Sequence, residues 1–148
     1  MNTALDNGAF LALVDDDSHS AQLMMRMLTA HGAPRVELWG GAESSSIQFS
    51  QAFDGQRSRR PSMLIVDLKQ RSSATGDFIS VIRDRCRAAG ILIAAVVPSP
   101  DRASIDRLHE AGAAGVFERH PELAAYRQEA AGIVSFWVRN QRLNAVGA

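Results

Sequence analysis

The chain has 148 residues, which at roughly 100–200 residues per domain allows one unit with a proper core and little room for a second. Hydrophobic residues make up 46% and charged residues 22%, too apolar a balance for a disordered chain. Sixteen Lys and Arg offset sixteen Asp and Glu, and a net charge of zero argues against a general binder of nucleic acid or acidic membrane.

Residues 1–9 read as an N-terminal extension. The first strand is predicted over Phe10–Val14 and runs into three aspartates, Asp15, Asp16 and Asp17. Leu23, Met24, Met27 and Leu28 then share one face of a helix that Ser18 or Asp17 caps, with Gly32 just past its end. A second strand is predicted over Val36–Trp39, and Ile47 with Phe53 marks a short helix after it. The stretch Asp54–Ser62, DGQRSRRPS, is a polar, basic loop closed by Pro61.

Met63–Val66 is the third strand and runs directly into Asp67. Phe78, Ile79 and Ile82 predict a helix from Gly76 to about Ala89, ended by Gly90. Ile91–Val97 is the fourth strand, Ile105 with Leu108 marks a short helix, and Gly115–Phe117 is a weaker fifth strand. In the last helix Leu123, Tyr126, Ala130, Ile133 and Trp137 fall on one stripe, the periodic pattern ends near Arg139, and residues 140–148 read as a tail.

The strand runs are nearly continuous in hydrophobicity rather than alternating, as a parallel sheet covered on both faces requires. Strands alternating with helices five times predict an α/β fold, a doubly wound five-stranded parallel sheet with helices on both faces. No apolar run approaches the roughly 20 residues that span a bilayer, and the start MNTALDNGAF lacks the basic residues of a signal peptide, so a cytoplasmic protein is expected. The single cysteine, Cys86, excludes an internal disulfide, and no Cys or His cluster has zinc spacing.

Ligands of such sheets bind at the carboxyl ends of the strands. Two acidic sites lie there, Asp15–Asp17 and Asp67. At about 4 Å and an effective dielectric near 20, a pair of carboxylates repels by about 4 kcal/mol. A divalent cation removes that cost, and an oxygen-only site on a half-open rim suits Mg²⁺. Read blandly, the aspartates are a solvated turn with a helix cap and a polar residue ending a buried strand.

These residues resemble the receiver domains of two-component response regulators. The resemblance is carried by LVDDD at Leu13–Asp17, LIVDL at Leu64–Leu68 and EAGAAG at Glu110–Gly115, and it covers about 10–139. It implies a flavodoxin-like fold and a phosphoryl group accepted on Asp67 from a histidine kinase or a phosphotransfer protein. It implies Mg²⁺ held by Asp15, Asp16 and Asp67 with the backbone carbonyl of Lys69. At most it implies self-phosphorylation and autodephosphorylation at Asp67, with no separate substrate turnover. A metal-dependent phosphatase is disfavoured, since Lys69 is not the second carboxylate that such an enzyme needs as general acid.

Three positions depart from the family pattern. The hydroxyl expected at the end of the fourth strand falls on Val97, leaving Ser99, between Pro98 and Pro100, as the nearest substitute. The lysine expected at the end of the fifth strand falls on Arg119, with His120 as an alternative if the loop is one residue longer. Val116 stands where an aromatic switch residue usually lies, with Phe117 beside it. Asp67 is therefore expected to accept phosphate with a weak or rerouted conformational response. The alternative is a pseudo-receiver that acts by protein contact without phosphorylation.

The chain stops about ten residues after the last periodic turn, so no DNA-binding module is expected and output should pass to a downstream protein target. Ile133, Phe136 and Trp137 in the last helix are expected at an interface. With the loop at Asp54–Ser62, they also resemble the small stand-alone regulators that work with phytochrome-type kinases, which commonly form homodimers through this side. The stretch Arg57–Arg60 reads as a solvated loop.

Overall fold

The computed structural model describes residues 9–55 and 59–147. Most of the expected N-terminal extension, the centre of the polar loop at 56–58, and residue 148 lie outside the described residues. Ten elements alternate: β1 (Phe10–Asp15), α1 (Ser18–Ala30), β2 (Arg35–Gly40), α2 (Ala42–Asp54), β3 (Met63–Asp67), α3 (Ala74–Ala89), β4 (Leu92–Val97), α4 (Arg102–Ala111), β5 (Gly115–Glu118) and α5 (Leu123–Gly147). The strands form one parallel sheet in the order β2-β1-β3-β4-β5. The expected α/β fold is the one observed.

The period-2 geometry of the central strands sorts their side chains into two core layers. Phe10, Ala12, Val14, Leu64 and Val66 pack with Phe49, Ile79 and Leu108 from α2, α3 and α4. Leu11, Leu13, Met63 and Ile65 pack on the opposite side with Met24 and Leu28 of α1 and with Ile133 and Trp137 of α5. Each of these strand residues is essentially inaccessible to solvent, which is why the runs read as continuous.

Local chemistry sets the ends. Asp17 caps α1 by accepting from the backbone N–H of His19 at 3.0 Å. Gly90 ends α3 in the left-handed region, φ 74°, a conformation that its missing side chain permits. The Asp101 carboxylate accepts from Ser104 N–H at 2.8 Å and the Ser104 hydroxyl accepts from Asp101 N–H at 2.9 Å, a reciprocal cap on α4.

Three expectations are corrected. Helix α2 buries Ser45, Phe49 and Ala52, while Ile47 is 55% exposed, so Ile47 does not mark the buried face. The periodic part of α5 ends near Arg139, but the backbone stays helical to Gly147. The interface expected in α5 is largely core: Ile133 is fully buried, Trp137 is buried with its indole N–H donating to Ser62 Oγ at 2.9 Å, and Phe136 packs edge-to-face on Phe117. A helix that packs on the sheet and also covers the start of β3 buries more than one stripe, which accounts for the wide apolar arc.

Candidate functional site

Strand order reverses beside β1, whose neighbours are β2 and β3, and at such a switch point the loops diverge to leave a crevice. The β1–β3 register puts Asp15 directly opposite Asp67. Both strands are buried throughout, so the terminal carboxylates are carried inside with them, at 2% and 1% exposure. Burial is the largest influence on Asp15 and holds its carboxyl above the usual carboxylate range, against the opposing pull of Lys69 and of the Asp17 N–H.

Two cations answer these charges. Arg119, just past β5, places Nε 2.8 Å and one terminal nitrogen 2.7 Å from Asp67 Oδ1, gripping that single oxygen with both groups. Lys69 places Nζ 2.7 Å from Asp15 Oδ1 and 3.1 Å from Asp67 Oδ2. The second contact is an ion pair without hydrogen-bond geometry, and Asp67 Oδ2 is a buried oxygen that accepts no hydrogen bond.

Asp16 faces another way. Its carboxylate accepts from the backbone N–H groups of Lys69, at 3.0 and 3.1 Å, and of Gln70, at 3.0 Å, and so clamps the loop after β3. Asp15 also accepts from Asp17 N–H at 2.8 Å and from the Ser20 hydroxyl at 3.2 Å. Among the described residues no three acidic, His or Cys side chains converge on one point. Asp15 and Asp67 nevertheless share one positive charge in an oxygen-only setting, the donor chemistry that a hard divalent cation takes, and the Lys69 ammonium stands in for such an ion. The donor chemistry of Asp15 and Asp67 therefore fits a divalent metal, whereas the Asp16 carboxylate, expected as a third ligand, is committed to the loop N–H groups.

Past the end of β5 the two candidate cations point to different partners. Arg119 reaches Asp67, whereas His120 Nε2 lies 3.0 Å from Glu129 Oε1 of α5 and the other oxygen of Glu129 accepts from Glu118 N–H. Val97 ends β4 with no hydroxyl to offer. Ser99 is not brought to Asp67: at φ 43° between two prolines, it lines the cleft between α3 and α4 with Asp77 and Arg107. A smaller cavity of about 110 Å³ opens beside Arg119 and Lys69, bounded by Leu68, Thr75, Val97 and Pro98.

Three contributors escape a reading of the sequence. The Lys69 side chain was not expected in the site at all. Thr75 Oγ1 accepts from Leu68 N–H at 3.0 Å, fixing the turn that follows Asp67. Tyr126 of α5 is buried, and its phenol is pushed up by burial first and by the Asp67 and Asp15 carboxylates next, which places it near the site. Only Tyr126 left a trace, as a polar-tipped member of an apolar stripe.

Solved structures with a similar fold include receiver domains of response regulators. The Mn²⁺-bound form of the response regulator Rcp1 superposes with a TM-score of 0.69 at 18% identity, covering 87% of this chain and 94% of that one. The phosphorylated cyanobacterial phytochrome response regulator RcpA gives 0.71 at 16% identity, over 88% and 94%. A response regulator receiver domain from Rhodospirillum rubrum gives 0.70 at 15% identity, with the same coverage. No protein-family model and no curated relative matches the chain. The chain therefore has the receiver fold.

Proposed function

We propose that this protein is a response regulator that accepts a phosphoryl group on Asp67. One observation carries the reading: the register that sets Asp15 opposite Asp67 at the switch point, with Arg119 on Asp67 Oδ1. In the transfer an Asp67 oxygen attacks phosphorus, an O–P bond forms, and the P–N bond of a donor phosphohistidine breaks with the imidazole leaving. Such transfer depends on positioning and on charge neutralisation. Arg119 supplies a fixed positive charge beside the acceptor, and Thr75 and Asp16 hold the loop on either side of it. Asp15 and Asp67 would hold Mg²⁺, which when bound would supply the remaining neutralisation of the phosphoryl oxygens.

The donor in this reading is a histidine kinase or a phosphotransfer protein, the place of action the cytoplasm, and the output contact with a protein target. Among the described residues no helix is long and apolar enough to cross a membrane. A homodimer through α5 belongs to the same proposal. Since Ile133 and Trp137 are core, it would use the outer surface around Val138, which is 36% exposed beside Ser135 and His31.

The second reading, a pseudo-receiver working by contact alone, is favoured by Val97 at the hydroxyl position and by the closure of both Asp67 oxygens under Arg119 and Lys69. Mass spectrometry after incubation with acetyl phosphate and Mg²⁺ separates the two. The wild type gains one phosphoryl group and Asp67→Asn gains none; equal labelling of both, or of neither, withdraws the phosphoacceptor. Light scattering on the same samples reads the oligomeric state, and a monomer mass with and without label withdraws the dimer.

A further inference from the structure

Lys69 touches all three aspartates. Its backbone N–H donates to Asp16, and its ammonium lies 2.7 Å from Asp15 and 3.1 Å from Asp67. The side chains of Asp15 and Asp67 are 0% and 1% exposed while that of Lys69 is 21% exposed, so the ammonium sits between the carboxylate pair and solvent. It also covers Asp67 Oδ2, the acceptor oxygen that Arg119 leaves free.

A divalent ion and an ammonium attracted to the same two carboxylates repel each other strongly at such range. The three aspartates and Arg119 leave a site with a formal charge of minus two, and adding Lys69 halves it. A lysine stem has four rotatable bonds and can carry its charge back into water, whereas Arg119 is tied to Asp67 by two nitrogens.

We propose that Lys69 is a tethered counterion that competes with the divalent metal for the Asp15–Asp67 position. Without metal the ammonium neutralises the pair and closes Asp67. Metal binding expels the lysine and uncovers Oδ2 in the same event, so the acceptor opens only when the metal is present. This rests on the reading of Asp15 and Asp67 as a divalent-cation site.

Titration calorimetry with Mn²⁺ and with Mg²⁺ on the wild type and Lys69→Met tests the competition directly. The variant should bind about tenfold tighter or better, about 1.4 kcal/mol. In EDTA it should melt below the wild type, because two buried carboxylates lose a shared partner, and saturating Mg²⁺ should restore it. Lys69→Gln, a polar replacement, covers the case in which Lys69→Met fails to fold and should also bind metal more tightly. Equal or weaker affinity in both variants overturns the competition, and if acetyl phosphate still labels wild-type Asp67 the phosphoacceptor stands without it. No metal binding by any of the three proteins, with no label on Asp67, overturns both.

Discussion

At the carboxyl ends of β1 and β3 two buried carboxylates face each other across a strand pair, while the ends of β4 and β5 present Val97 and Arg119. The first pair of ends concentrates charge that the interior cannot tolerate unaided. Arg119 reaches across from the second pair to help neutralise it, and Val97 offers it nothing. In the proposed function, the half of the rim that makes an acyl phosphate carries its charges, while the half facing it across the sheet ends in Val97, which has no hydroxyl. On that proposal, acceptance and response are separable because they rest on different strands.

The largest break of that division comes from removing the one side chain that joins the halves. Arg119→Ala leaves Oδ1 of Asp67, itself only 1% exposed, without either guanidinium nitrogen. Stripping one partner from a buried pair costs several kcal/mol; with Arg119 24% exposed and Lys69 still present, about 2 kcal/mol is expected here. That lowers the melting temperature by about 4–8 °C at this chain length. Arg119→Lys should recover most of it, less the second nitrogen. Melting of Arg119→Ala within a degree of the wild type would mean that the two halves of the rim are energetically independent.

How much of this was legible follows the same division. The strand ends were readable because a run such as Met63–Val66, hydrophobic throughout, has one place in a doubly wound fold, and the Asp that follows has one edge to lie on. The match of Asp15 to Asp67 needed only that both strands run the same way. What escaped depended on long side chains and distant segments. No pattern tells where the flexible stem of Lys69 ends, and its ammonium is decided by a field that exists only after folding. The hydrogen bond from Trp137 to Ser62 joins residues 75 positions apart, so an apolar arc destined for the core read as an interface. Ser99 lay near enough in sequence to replace the missing hydroxyl, but flanking prolines fix it over the α3–α4 cleft instead.

Restoring the hydroxyl sharpens the comparison at smaller cost. Val97→Thr keeps the shape of the side chain and adds one polar atom at a half-buried site packed against the first core layer, a loss of about 1 kcal/mol. With Asp67 phosphorylated, amide chemical-shift changes in the wild type should stay near β1, β3 and Arg119. In Val97→Thr they should spread along β4 and into α4. Identical shift patterns in the two proteins would show that the missing hydroxyl is not what limits the response.

The smallest effect lies on the β4–β5 side, where the carboxylate is exposed and works alone. The Asp101 carboxyl is held below the usual range, first by the Ser104 N–H and then by the Ser104 hydroxyl. Its folded value lies under the ordinary 3.8 that the unfolded chain keeps, so the cap contributes fully above 3.8 and is lost as pH falls through the folded value. Asp15 has the opposite sign: its raised value makes the ionised form the costly one, so falling pH relieves the first rim while it weakens the cap. Amide protection factors in the first turn of α4, at Ser104 and Ile105, taken relative to intrinsic exchange, should therefore fall as pH drops below 3.8. Asp101→Ala should exchange quickly there above and below that pH, with β1 and β3 unaffected. Protection factors that stay constant across the acid range in the wild type would mean that the α4 turn is held by its packing on α3 and β5, with the cap adding nothing that pH can remove.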